Sequence, residues 1–359
     1  MKRVAGVLIF ILGSIILFPR PLHGAPSPYF GYPVETGSTQ AGGPDDSLNL
    51  QTLLLGGEWI ASRKGDDHQQ LWLLSWEKDF VLKTPRLTFV NALVETDGGR
   101  LTFEVPAAVN PYVALIAEYP YFYQPSEQTG RLTVTRFRGF GVGAGITKRL
   151  PIGNIRAGAE WVSGELHGVV KETGQKTTEL IQFEQDRTQR TKWDEPTDGT
   201  RLFFSFSTLQ FHGFTSEPEK TVATVQGIEE WYRPLSPSTT VGLVAREGTE
   251  SRSVRFWTTT LGSFQEDDFN IPLPGYHYQQ FDVRSFVGGE ARLGFRPTAD
   301  WGFHFGYDLA GGWSSHAYRS VSAGVTYLLF HKLPVNLQGA WGLSPSGASE
   351  ILAGTAIQW

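Results

Sequence analysis

Towards the end of the chain, apolar and small or polar side chains alternate with a period of two. Trp301, Phe303, Phe305, Tyr307 and Leu309 share one parity, against Gly302, His304, Gly306 and Asp308. Val321, Ala323, Val325, Tyr327 and Leu329 alternate with Ser320, Ser322, Gly324 and Thr326. Ile351, Ala353, Thr355, Ile357 and Trp359 end the chain on the same rhythm. Successive strand side chains point to opposite faces, so each segment predicts a strand with one apolar face. The period extends back to residue 49 and predicts strands over 49–61, 69–81, 86–95, 100–108, 111–122, 131–149, 153–170, 177–190, 200–213, 220–233, 238–248, 283–296, 301–313, 318–331, 334–343 and 349–359. These are sixteen, an even number, as single-chain bacterial barrels require. Segment 252–262 also alternates; counting it makes the number odd, so it is assigned to a loop. The fold class this pattern predicts is all-β, a 16-stranded antiparallel transmembrane β-barrel spanning 49–359.

Orientation supports the count. If the last strand ends in the periplasm, the turns 109–110, 150–152, 234–237, 297–300 and 332–333 fall on that side. They are short and marked by Pro151, Pro234, Pro237, Pro297 and nearby Pro334. The longest connection, 249–282, falls outside the cell, where barrels carry their long loops. Segment 191–199 is longer than its periplasmic neighbours.

Composition sharpens this. Aromatic residues make up 13% of the chain and glycines number 41, yet no mature stretch of 18 apolar residues exists. A barrel strand shows lipid only alternate residues, which keeps overall hydropathy low. The absence of cysteine excludes disulfides, a lipidated cysteine anchor and thiolate metal sites. Lys2 and Arg3 followed by the apolar run Val4 to Phe18 predict a cleaved signal peptide, residues 1–24, and residues 25–48 read as a loose Gly-, Pro- and Ser-containing lead-in. Loss of Lys2, Arg3 and Arg20 would take the formal charge from −5 to −8, which argues against nucleic-acid partners.

Several stretches resemble the barrel of the BamA/TamA superfamily, the bacterial surface antigens. They are Gly289-Glu290-Ala291-Arg292, Asp308 with Trp313, Ser322-Ala323-Gly324-Val325, Leu333-Pro334-Val335, Trp341-Gly342-Leu343 and, more weakly, Asp194-Glu195-Pro196 with Asp198-Gly199. Five strands follow the long loop, as in that family. The resemblance implies that the loop tip, Leu273, Pro274, Gly275 and Tyr276, folds into the lumen, although Pro274 stands where the family has arginine. Separately, a last alternating strand that closes on Ile357 and Trp359 resembles the signal by which barrel proteins are recognised by the barrel-assembly machinery during export. Residues 25–48 are too few for a periplasmic POTRA domain, so the likeness is to barrel-only members. A periplasmic partner could supply the missing modules.

Parity gives an inner-wall map. Arg284, Glu290, Arg292 and Arg296 fall opposite the apolar parity of their strand, and His304 and Asp308 fall inward on the next. Opposite charges on adjacent strands pair and tolerate burial. The cluster is either a docking site for the folded-in loop, with Arg284 or Arg292 as the partner of Asp308, or an ordinary wet barrel wall. Gly139, Gly141, Gly143 and Gly145 share one parity and predict a thinned inner wall. Arg136 and Arg138 share the lipid parity, which places them above the membrane boundary, where arginine costs little. Of the seven mature histidines none lies in a nucleophile motif or at metal-ligand spacing, so neither catalysis nor a metal or other cofactor is expected. The functional expectation is an outer-membrane barrel that assists insertion or passage of a polypeptide or lipid. The alternatives are a passive pore or structural surface protein and, more weakly, a lipid-active enzyme.

Overall fold

The computed structural model describes residues 51–62, 68–82, 88–125, 132–190, 196–217, 221–252, 255–258, 260–262, 270–277, 280–312, 317–330, 333–344 and 347–358. The expected signal peptide and lead-in, and Trp313 and Trp359, lie outside these residues. Sixteen strands form one wall: β1 (Gln51–Ser62), β2 (His68–Leu82), β3 (Thr88–Glu95), β4 (Gly98–Glu104), β5 (Asn110–Glu118, continuing as Tyr121–Pro125), β6 (Leu132–Leu150), β7 (Gly153–His167), β8 (Lys171–Asp186), β9 (Pro196–His212), β10 (Thr221–Ser236), β11 (Thr239–Glu250), β12 (Ser285–Phe295), β13 (Trp301–Gly312), β14 (Tyr318–Leu329), β15 (Leu333–Gly342) and β16 (Ala348–Gln358). Each strand pairs antiparallel with the next. The wall closes where β16 pairs antiparallel with β1, from Thr52↔Gln358 to Ser62↔Ala348. Closure removes both sheet edges, the condition for a sheet to stand in lipid.

The alternation maps onto the wall as the hydrophobic pattern requires. Val287, Leu293, Phe295, Trp301, Phe305, Tyr307 and Leu309 are exposed on the outside, where lipid would cover them. Phe286, Asp308, Ala310, Ser320, Ala340 and Leu352, of the other parity, are buried within. Each expected strand is present, with shifted ends. The eighth begins at Lys171 rather than 177, because its polar first residues continue the ladder with β7 where no apolar face marks it. The fifth breaks at Tyr119-Pro120, since proline cannot donate to a ladder. The long segment expected on the periplasmic side is partly strand: Gln189–Arg190 pairs back onto Pro196–Asp198.

The rim where β1 begins and β16 ends has short turns, such as Pro151-Ile152 and Pro237-Ser238. The opposite rim carries the connection 251–284 between β11 and β12. This loop builds a small sheet of its own, in which Thr260–Leu261 pairs parallel with Asn270–Ile271 and antiparallel with Phe281–Asp282.

Candidate functional site

The upper lumen is an apolar core rather than a water-filled bore. From the loop, Phe256 and Trp257 are 3% and 2% exposed. They pack among Ile116 and Phe122 of β5, Phe137 of β6, Val162 and Leu166 of β7, and Phe211 of β9. The Trp257 ring lies 4.9 Å from that of Phe211, 5.3 Å from those of Phe122 and Phe214, and 5.4 Å from that of Phe137. These spacings are those of favourable tilted and edge-on aromatic pairs. The sequence pattern assigns 252–262 to the loop and does not locate its aromatics. Two adjacent bulky rings in a polar loop were the available signal.

The second half of the plug is the expected tip. Leu273 and Tyr276 are fully buried and pack with Leu261 against Val283, Phe286 and Ala310, with Tyr318 alongside. Gly275 adopts φ +81°, a turn geometry that glycine takes without strain. A Cβ there would run into the backbone of Trp341 and Gly342, so the Pro274-Gly275 turn lies directly on the end of β15. Gly275 N donates to Glu350 Oε2 (2.5 Å), and Ala348 N donates to Gly275 O (2.7 Å). Tyr276 Oη donates to Arg319 O (2.9 Å). These bonds run to β14–β16, among them to the buried carboxylate of Glu350, rather than to Arg284, Glu290, Arg292 or Asp308.

A carboxylate outside the wall proper holds the aromatic half. Glu217, in the β9–β10 connection and 2% exposed, accepts from Arg255 N (2.8 Å) and Phe256 N (3.0 Å). Thr215 and Ser216 beside it are tied down by Glu172. Burial pushes the Glu217 carboxyl above the usual carboxylate range, opposed by the two amides and by the Arg255 charge. Protonation therefore favours the docked loop. The contribution is fully present below the ordinary glutamate value of about 4.3 and is lost as pH rises through the docked value. Leakage through the barrel should rise as the pH climbs above the ordinary glutamate value, and Glu217→Gln should flatten that profile in single-channel recordings. Closure on raising the pH would contradict this assignment.

Below the plug the lumen is polar. A chain of contacts crosses β8 to β12. Arg201 bridges Glu184 (3.1 Å) and Glu230 (3.3 Å). Tyr232 Oη donates to Glu230 (2.8 Å) and accepts from Arg292 (3.0 Å). Arg292 clamps Glu290 through Nε and Nη2, and Arg246 approaches Glu290 at 3.5 Å. On the far wall Arg100 pairs with Glu160 (2.5 Å), and higher, level with Phe211 of the aromatic core, Lys176 reaches across β6 and β7 to Glu118 (2.7 Å).

The sequence-based cluster divides accordingly. Glu290 and Arg292 lie inside the network. Arg284 does not: it is exposed at the loop base, donating to the carbonyls of Glu250 and Ser251. Asp308 is buried on the inner wall opposite Glu290, and its hydrogen bond is accepted from Ser320 Oγ (3.4 Å). The expected ion pair of Asp308 with Arg284 or Arg292 is thus corrected, because Glu290 takes Arg292 and the end of β12 carries Arg284 out of the lumen. Arg296 sits at the opposite end of β12, its amide bonded to Ser238 O (2.7 Å). His304 lies against Gly324 on the inner wall. Ile357 pairs with Leu53 in the closing ladder. The glycine stripe of β6 is filled rather than open: the Tyr112 ring lies beside Gly145 and Gly158, and Phe137 beside Gly139 and Gly164.

This arrangement gives a stability prediction. Glu290→Ala leaves Arg246 and Arg292, on adjacent strands, without the carboxylate they share, at a cost of roughly 1–3 kcal/mol in a partly wet lumen. Asp308→Asn removes no ion pair and should cost less. Denaturant midpoints of the purified barrel check the order, and the reverse order would contradict the network.

No protein-family model and no curated protein matches the sequence. The structure is similar to that of BamA from Haemophilus ducreyi lacking POTRA domains 1–3, with 9% identity, 86% of this chain and 70% of that chain covered, and a TM-score of 0.58. It is also similar to CdiB from Acinetobacter baumannii, with 9% identity, 86% of this chain covered and a TM-score of 0.53. The chain spans 60% of the length of that CdiB chain. At these identities the likeness is one of fold, the sixteen-stranded barrel.

Proposed function

We propose that the chain is an outer-membrane barrel, related to the BamA/TamA superfamily, that assists insertion or passage of a polypeptide or lipid through a lumen closed at rest. The observation that carries the reading is the plug: the loop buries Phe256, Trp257, Leu261, Leu273 and Tyr276 inside the barrel. A passive pore gains nothing from an apolar core across its bore, whereas a conduit for an occasional large cargo needs a removable seal. The loop-bearing rim faces outside the cell and the chain ends face the periplasm, where a partner could deliver cargo.

Two routes differ in what they must break. Passage along the lumen displaces the loop and leaves the wall intact. Escape into the bilayer parts a ladder, and the ladders are unequal. The closing β1–β16 ladder holds eleven residue pairs, while β3–β4, β4–β5 and β15–β16 hold seven each. The closing seam is thus longer than these three ladders, which supports passage along the lumen over release at that seam.

Cells lacking the chain test the proposal. A changed set of outer-membrane or surface proteins, or of surface lipids, restored by the wild-type gene, is expected. An unchanged protein and lipid inventory with lost uptake of a small solute would replace it with the pore reading.

A further inference from the structure

The outward face of β6 reads Arg136, Arg138, Phe140, Val142, Ala144, Ile146 and Lys148. An apolar stretch is bracketed by cations. Arg138 and Lys148 are roughly 33 Å apart along the strand, about 25 Å along the membrane normal at the usual tilt, which is the height of a barrel's apolar band. Arg136 and Arg138 therefore stand at headgroup level on the loop-bearing rim.

Neighbouring strands bring further charge to the same level. Arg136 faces His167 and Arg138 faces Glu165 across one ladder, and His167 faces Lys171 across the next. Glu165, the acid of the group, is held by His167 at 2.6 Å. The Arg136 guanidinium lies over the rings of Tyr121 (4.8 Å) and Tyr119 (5.8 Å). Its Nε is buried and has no hydrogen-bond partner among the described residues. The aromatic faces fix this cation while leaving donors to spare.

Towards the membrane centre the outer wall is dented by an apolar pocket of about 550 Å³. Ala144 and Ala159 form its floor, and Phe103, Leu115 and Trp161 its sides. Small residues between large ones leave a furrow in a surface otherwise covered by bulky side chains. Phosphate prefers guanidinium and ammonium donors, and an acyl chain fits an apolar furrow.

We infer that this face is a binding site for an anionic lipid of the loop-side leaflet, with its phosphate on Arg136, Arg138 and Lys171 and an acyl chain in the furrow. The site requires only that the barrel stand in a bilayer, and is independent of the transport role proposed above. Native mass spectrometry of the full chain, released from micelles doped with phosphatidylglycerol or with phosphatidylcholine of the same acyl chains, tests it. Wild type should retain phosphatidylglycerol preferentially, and Arg136→Gln/Arg138→Gln should lower that preference about tenfold. Ala159→Phe, which fills the furrow and leaves the charges in place, should reduce retention of both lipids. Arg138 is exposed, so Arg138→Gln alone serves if the double variant fails to assemble. Equal retention of the two lipids by wild type, or an unchanged preference in the arginine variants, would overturn the site.

Discussion

Replacing residues 255–276 with a short Gly-Ser bridge is expected to turn a sealed barrel into an open one. The segment carries Phe256, Trp257, Leu261, Leu273 and Tyr276, whose side chains fill the upper lumen. The wall does not depend on them, because the β11–β12 ladder runs unbroken from Thr239↔Phe295 to Thr249↔Ser285 without the loop. Swelling of liposomes containing the variant should report rapid entry of sugars that wild type excludes. A single truncation gives a graded result. Trp257→Ala removes a ring enclosed on all sides, at a cost of roughly 3–5 kcal/mol. Inverting a 1:99 equilibrium takes about 5.5 kcal/mol. The single variant should therefore open intermittently, and the deletion continuously. Exclusion unchanged by the deletion would mean that something else seals the lumen.

Deleting β16 is expected to abolish the barrel. The strand contributes two ladders, eleven residue pairs to β1 and seven to β15. Without it, two rows of backbone groups face lipid with no water to satisfy them, at several kcal/mol each. Neither edge can be covered locally, since β1 and β15 stand on opposite sides of the gap. The deleted protein should be degraded or held in the periplasm, with no heat-modifiable band in the membrane fraction. Trp359→Ser tests the assembly signal separately, because it leaves the ladder residues in place. A heat-modifiable barrel formed without β16 would contradict the closed topology.

The strand count and the facing of the strands were legible because lipid outside and a packed or polar lumen inside impose a strict two-residue period. The rhythm of Trp301 to Leu309 or Val321 to Leu329 leaves no other facing. Strand ends were less legible. Lys171 to Gln175 pair with β7, but this stretch carries polar or small residues on both faces, so polarity no longer marks the ladder. The burial of Leu273 to Tyr276 could be anticipated from loop length and the Pro-Gly turn, but its seat against Glu350 and Arg319 could not. That seat depends on the positions of β14 and β16, which no local pattern records. The same holds for Glu290. Parity set it inward beside Arg292, yet its second arginine, Arg246, arrives from β11, on the other side of a loop running from 251 to 284. Asp308 lies on the expected face but with another partner, because parity fixes a face and not a partner.

Single-channel recording of the intact, purified chain in a planar bilayer tests the central claim, a closed barrel sealed by its own loop. The plug predicts a baseline close to that of bare lipid, interrupted by brief openings. A large, steady conductance from the intact chain would show that the lumen is open at rest.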